Sequence, residues 1–150
     1  MSGDDKFCPR VRLNLWLETD DGMLFGLGRA QLLEQIEKLG SLNKAAKELG
    51  MSYRAAWGRL KNTEEVLGDA LVLRTRGRKG ASLTPLGERV LEEYRQWAKE
   101  VENFAVMTAR KSFPWQISSY DEDEAKRKKG LSKVAKDKVA KDKDDSSKDK

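Results

Sequence analysis

The sequence has no histidine and only one cysteine, Cys8. Without an imidazole there is no histidine general base, no Ser-His-Asp triad and no histidine-containing zinc site. A single thiol cannot form an internal disulfide or a cysteine-rich zinc centre within one chain. Cys8 lies close to the N-terminus with no histidine to activate it, so it is not expected to act as a nucleophile. No stretch approaches the roughly 18 apolar residues of a membrane span, and the N-terminus lacks the apolar core of a signal peptide. The cytoplasm is therefore the expected compartment. No glycine-rich phosphate loop of the Walker type is present. Paired carboxylates occur at Glu64–Glu65 and Glu92–Glu93, but adjacent helical positions point different ways. Together these absences argue against an enzyme, and no cofactor, metal or small-molecule ligand is expected.

What the chain does have is charge. Of its 150 residues 37% are charged, the net charge is +5, and the mean hydropathy is -0.75. The excess is unevenly placed. From Ser52 to Gly80 there are seven basic and three acidic residues, whereas residues 121–150 hold 11 basic and 9 acidic. A cationic stretch inside the folded part, rather than in a tail, is the electrostatic footprint of a surface that meets a polyanion.

That basic stretch grows out of GSLNKAAKELGMSYRAAWGRL, residues 40–60. Leu42, Ala45, Ala46 and Leu49 recur at helical spacing behind Ser41, a candidate N-cap. Gly50 can end that helix in the left-handed conformation, and Met51 fills the turn. Ser52 can cap a second helix that directs Ala56, Leu60 and Trp57 inward and leaves Arg54, Arg59 and Lys61 solvated. Two short helices joined so tightly must cross steeply, and the small Ala45 and Ala46 allow it. This is the helix-turn-helix layout, whose second helix enters the major groove of DNA. An ordinary helix–loop–helix corner is the plainer alternative.

The flanks extend the pattern. Residues 1–9 read as disordered. Arg10 to Glu18 alternates, with Val11, Leu13, Leu15 and Leu17 on one face, and predicts a strand with one buried face. Asp20-Asp21-Gly22 is a turn, and Met23 to Phe25 returns as a second strand. Gly28 to Leu39 predicts the first helix, with Leu32, Leu33, Ile36 and Leu39 on one face and Gly40 as its stop. The second helix of the motif should run to Leu67 before Gly68-Asp69. Leu71 and Leu73 then alternate with Val72 and Arg74 as a strand. Arg76-Gly77-Arg78-Lys79-Gly80 is a basic, glycine-rich tip, and Ala81 to Leu83 pairs back. A basic hairpin following such a helix reads as a wing that can reach phosphates or the minor groove; a merely solvated hairpin is the alternative.

Thr84-Pro85 opens the last helix, expected over 85–110. Its stripe comprises Leu86, Val90, Leu91, Tyr94, Trp97, Val101, Phe104 and Thr108. The distal half has no core of its own to lie on. A homodimer is therefore expected through this helix, at Tyr94, Trp97, Val101 and Phe104, together with the N-terminal hairpin. Residues 112–150 read as a Lys/Asp-rich disordered tail, in which Trp115 and Ile117 have the option of docking back.

At this point the residues carry a resemblance. GSLNKAAKELGMSYRAAW, the basic wing and LTPLGERVLEEY resemble the N-terminal DNA-binding domain of the ModE family of molybdate-responsive regulators, a winged helix related to the LysR-type head. LFGLGRAQLLEQI and the strand before it also fit, so the resemblance covers residues 10 to 98. Its most specific piece is Ser52 to Trp57, because LysR-type proteins share the frame but usually not this Tyr and Trp. The wing RTRGRKGAS is shorter and more basic than the family's. The resemblance implies winged-helix DNA binding and dimerisation through a helix. It does not extend past residue 111, where the family places separate molybdate-binding β-barrels, so oxyanion sensing is not carried over.

The expected fold is thus mainly α with a small β component: a winged helix-turn-helix, residues 10–111, with an N-terminal β-hairpin and a long C-terminal dimerisation helix. The expected partner is double-stranded DNA, read at an inverted repeat by a homodimer. Ser52, Tyr53, Arg54, Gly58 and Lys61 are the candidate recognition-helix contacts. Ser41, Asn43 and Lys44 are candidates for phosphate contacts from the supporting helix. Arg76, Arg78 and Lys79 are the wing contacts. The alternative is a sequence-neutral architectural protein that relies on the wing and the tail, and a protein-interaction module is a third reading.

Overall fold

Ordering this chain begins with five glycines or serines that start and stop helices at the points the sequence dictates. In the computed structural model, which describes residues 7–75 and 80–120, the elements run β1 (Trp16–Thr19), β2 (Gly22–Gly26), α1 (Leu27–Leu39), α2 (Leu42–Glu48), α3 (Tyr53–Leu67), β3 (Val72–Arg74), β4 (Ala81–Leu83) and α4 (Pro85–Ser112). Two compact units emerge, Leu13–Val101 and a second formed by Met1–Arg12 with Glu102–Lys150. No helix among the described residues is long and apolar enough to cross a membrane.

In the larger unit, α1 buries Ala30, Leu32, Leu33 and Ile36. Gly40 then turns left-handed at φ 66° and its N–H donates to the Ile36 carbonyl at 2.8 Å. The Ser41 hydroxyl accepts from the Lys44 N–H, capping α2, which buries Leu42, Ala45 and Ala46. Gly50, also left-handed, allows the sharp turn. Ser52 accepts from the Ala55 N–H and caps α3, whose buried side chains are Ala56, Leu60 and Thr63. Their spacing, four then three, is the inward stripe of a helix lying on a core. Thr63 is buried because its hydroxyl donates to the Leu24 carbonyl at 2.7 Å, tying α3 to the hairpin. Gly68, left-handed at φ 72°, ends α3.

Three expectations in this unit need correction. The first strand is four residues long, not the nine of Arg10–Glu18. Its partner β2 ends at Gly26, where α1 begins, so β2 pairs with no residue before Trp16. The alternating leucines are accordingly not buried: Leu13 is 43% and Leu17 50% exposed. Leu71 and Leu73 do not share a face either. Leu71 and Val72 are both buried while Leu73 is exposed, because Leu71 sits in a bend ahead of the pleat. One Glu64 carboxylate oxygen accepts from both the Leu71 and Val72 N–H groups. Tyr94, expected on the dimer face, is buried in the chain's own core. It stands edge-on to Phe25 and Trp97 and its hydroxyl donates to the Leu15 carbonyl at 2.9 Å. Burial pushes its phenol above the ordinary value.

The wing strands are held at both ends. The Ala81 N–H donates to the Gly40 carbonyl, and the Thr84 N–H to that of Leu71. The Thr84 hydroxyl donates to the Ala70 carbonyl and accepts from the Gly87 N–H, capping α4.

In the second unit, α4 buries Val106 and leaves Phe104 62% exposed. The inward position is thus Val106 rather than the Phe104 of the expected stripe. Residues expected to be disordered on both flanks make defined contacts. The Ser118 N–H donates to the Pro9 carbonyl and the Val11 N–H to the Ser118 carbonyl. The Arg110 Nε donates to the Ile117 carbonyl at 2.7 Å, and Ile117 is buried. Trp115 stacks on Phe113 and meets Phe7 edge-on. The rest of the anticipated tail, residues 121–150, and residues 1–6 lie outside the described residues.

Candidate nucleic-acid interface

The caps that start α2 and α3 also aim them. Each helix begins with backbone N–H groups that have no partner inside the helix, and each carries a serine that satisfies only one of them. The α1–α2 corner holds β4 through Gly40, and α3 holds the start of β3 through Glu64. Both helix starts and the wing strands therefore converge on one groove of about 390 Å³, lined by Ser41, Asn43, Tyr53, Arg74, Thr75 and Gly80. The open N-terminal ends of helices favour anions at this location.

Of the sequence-derived candidates, Ser41, Asn43 and Tyr53 line this groove. Asn43 and Lys44 are exposed on the first turn of α2, and Ser41 is its buried cap. Ser52 is exposed as the cap of α3, followed by Tyr53, which is 48% exposed. Arg54 is exposed and has no hydrogen bond or ion pair to any described residue. Gly58 sits one turn further along α3. A Cβ built on it would meet nothing within 4 Å, so no packing inside the chain demands glycine there. Lys61 is exposed and pairs only loosely with Glu65, at 3.9 Å. Arg76, Arg78 and Lys79, the expected wing contacts, lie outside the described residues.

Of the candidates for dimerisation on α4, Trp97 and Val101 are half-buried, Phe104 is largely exposed and Tyr94 has little surface to offer. Arg59, on the flank of α3 away from the groove, instead meets α1. Its carbonyl accepts from the Arg29 Nε at 3.4 Å. Burial, and then the nearby Arg59 charge, pull the Arg29 guanidinium below its ordinary value.

Sequence reasoning missed two groups at the site. Arg74 is one, a groove-lining residue that the sequence places in the wing but not among its contacts. The other is Glu64, a carboxylate that positions the wing. Nothing local marks either of them, since both act through partners seven or more residues away.

A three-helix core with a tight second turn, an anion-favouring helix end and a flanking β-wing defines a winged helix-turn-helix protein. Residues 27–88 match the bacterial regulatory helix-turn-helix protein family of the LysR type, and they form a LysR-type helix-turn-helix domain. Among individual proteins, the chain is similar to the molybdenum transport protein ModE of Azotobacter vinelandii, with 39% identity over 96 residues, covering 62% of this chain and 35% of that protein. It is 38% identical over 95 residues to the molybdenum-pterin-binding protein MopB of Rhodobacter capsulatus, covering 61% of this chain and 34% of that protein. With the DNA-binding transcriptional dual regulator ModE of Escherichia coli (strain K12) it shares 36% identity over 69 residues, 44% of this chain and 26% of that protein. The chain thus spans about a third of the length of the first two relatives. A solved CbnR DNA-binding-domain complex with DNA is 21% identical, at a TM-score of 0.49, covering 57% of this chain and 97% of that chain.

Proposed function

We propose that the protein is a sequence-specific DNA-binding transcriptional regulator, acting in the cytoplasm as a homodimer on an inverted-repeat operator. The observation that carries this reading is the single groove onto which the starts of α2 and α3 and the wing strands all open, with Tyr53 and Arg54 exposed beside it. In this reading the first two turns of α3 lie in the major groove. The unpaired N–H groups behind Ser41 and Ser52 meet phosphates, helped by Asn43 and Lys44. Arg54 supplies a bidentate contact to guanine. Arg76, Arg78 and Lys79 carry the wing to the adjacent backbone. The second copy packs along α4, covering the apolar surface of Trp97, Val101 and Phe104. The names of the relatives, several of them transcriptional regulators, favour this reading over a sequence-neutral architectural role.

Selection from a pool of random duplexes tests it. An enriched two-fold-symmetric site is expected, with half-sites about 34–36 Å apart or a multiple of that. A pool that remains random after several rounds contradicts it.

Two substitutions probe the parts. Gly58→Ala should stabilise the free protein by about 0.5–1 kcal/mol, because the new methyl meets open space and alanine favours helix. It should nevertheless weaken operator binding, since in the complex that space belongs to DNA. Thermal melting and a titration on the same sample read the two opposite signs. Lys79→Ala should weaken binding to all duplexes alike and reduce the slope of log K against log salt by about one.

A further inference from the structure

Trp57 lies on α3 between the proposed base-reading turn and the helix's core-facing stripe. It is half-buried and packs against the core cluster. Two cations sit over its ring. The Lys61 Nζ, one turn further along the same helix, is 4.6 Å from the ring centroid. The Arg74 guanidinium, from the wing strand β3, is 5.2 Å away. Both distances are within cation–π range, and tryptophan is the aromatic that binds cations best. Nothing else holds these groups firmly. Lys61 has only the long, exposed pairing with Glu65, which contributes little, and Arg74 has no ion pair among the described residues. Arg74 also lines the groove that receives the starts of both helices.

We infer that Trp57 is a positioning residue for DNA binding: its indole fixes Arg74 of the wing and Lys61 of α3 as one preorganised cationic pair beside the groove. This rests on the DNA-binding reading above and deepens it. Lysine and arginine lose much rotamer freedom when a phosphate immobilises them. A ring that has already restricted both side chains lowers that loss and strengthens binding without touching DNA itself. It also couples the wing to the recognition helix, adding to the hydrogen bonds that Glu64 makes at the wing's root.

The test combines Trp57→Phe, Arg74→Ala and the double variant, titrated by fluorescence anisotropy against the selected duplex. Phenylalanine keeps the packing and weakens the cation contact. Each single change is expected to weaken binding about three- to tenfold. The double variant should lose clearly less than the product of the two, because the second change removes a contact already broken. A second readout needs no DNA. The emission of Trp57, taken as the difference between the wild-type and Trp57→Phe spectra, should shift when exposed Arg74 is replaced by alanine. Losses that multiply independently, with that emission unchanged, overturn the inference while leaving DNA binding intact. A wild-type chain that binds no duplex overturns this inference and the functional reading together.

Discussion

Arg54→Ala is expected to bind the selected operator and an operator with its half-site guanines replaced with nearly equal affinity, whereas the wild type should separate them by roughly 10- to 100-fold. Arg54 is on the first turn of α3, exposed and without a partner among the described residues. All the donors of its planar fork are therefore available. A guanidinium paired to the O6 and N7 of guanine discriminates by about 1–3 kcal/mol against another base. Alanine removes that term and leaves the phosphate contacts, so residual binding should persist and should remain strongly salt-dependent. The folded state should hardly change, because an exposed, unpartnered side chain contributes little to stability. Competition titrations with the two duplexes measure the ratio. An unchanged ratio would assign base reading to other residues.

The second large effect is on folding. Gly87→Ala is expected to destabilise the protein by about 3 kcal/mol and to lower Tm by more than about 10 °C. A methyl at this position would drive into the carbonyl of Leu71, against its oxygen and carbon. That carbonyl cannot easily retreat, since it accepts the Thr84 N–H, and the Leu71 N–H is held by Glu64. The first turn of α4 and the root of the wing thus share a space that only a residue without a side chain allows. Alanine is the better helix former by about 1 kcal/mol, so the expected loss runs against intrinsic propensity. Gly58→Ala, the same chemical change on the open face of α3, is expected to raise Tm. A Gly87→Ala protein that melts at or above the wild-type temperature would mean that the α4–wing contact is slack.

The contrast between these two glycines also shows what the sequence can and cannot reveal. The helix-turn-helix was legible because its punctuation is local: Ser41, Gly50, Ser52 and Gly68 act on backbone groups within a few residues. Tyr53 and Asn43 could be placed on the groove side for the same reason, by counting from a cap. The failures all involve partners distant in sequence. Residues 10–15 alternate well enough for a strand, yet β2 is too short to pair with them. The phase of Leu71 and Leu73 was misjudged because a Glu64 carboxylate captures the strand's first N–H groups. Tyr94 follows the same helical stripe as Trp97, and only the hairpin's Leu15 carbonyl and Phe25 ring turn it into a core residue. For residues 113–118 the sequence leaves the docking of Trp115 and Ile117 open, because the partners that decide it, residues 7–11, lie about a hundred positions away. The stacking of Arg74 on Trp57 likewise has no sequence period to announce it.

The central claim is that the beginning of α3 lies in the major groove of its operator. Methylation interference on the selected duplex tests this most directly, because a methyl at guanine N7 projects into that groove. The account predicts that methylation of one or two guanines in each half-site blocks the wild-type protein, and that Arg54→Ala becomes indifferent to the same methyl groups. Binding that tolerates methylation at every guanine N7, or is blocked only by methyl groups in the minor groove, would contradict it.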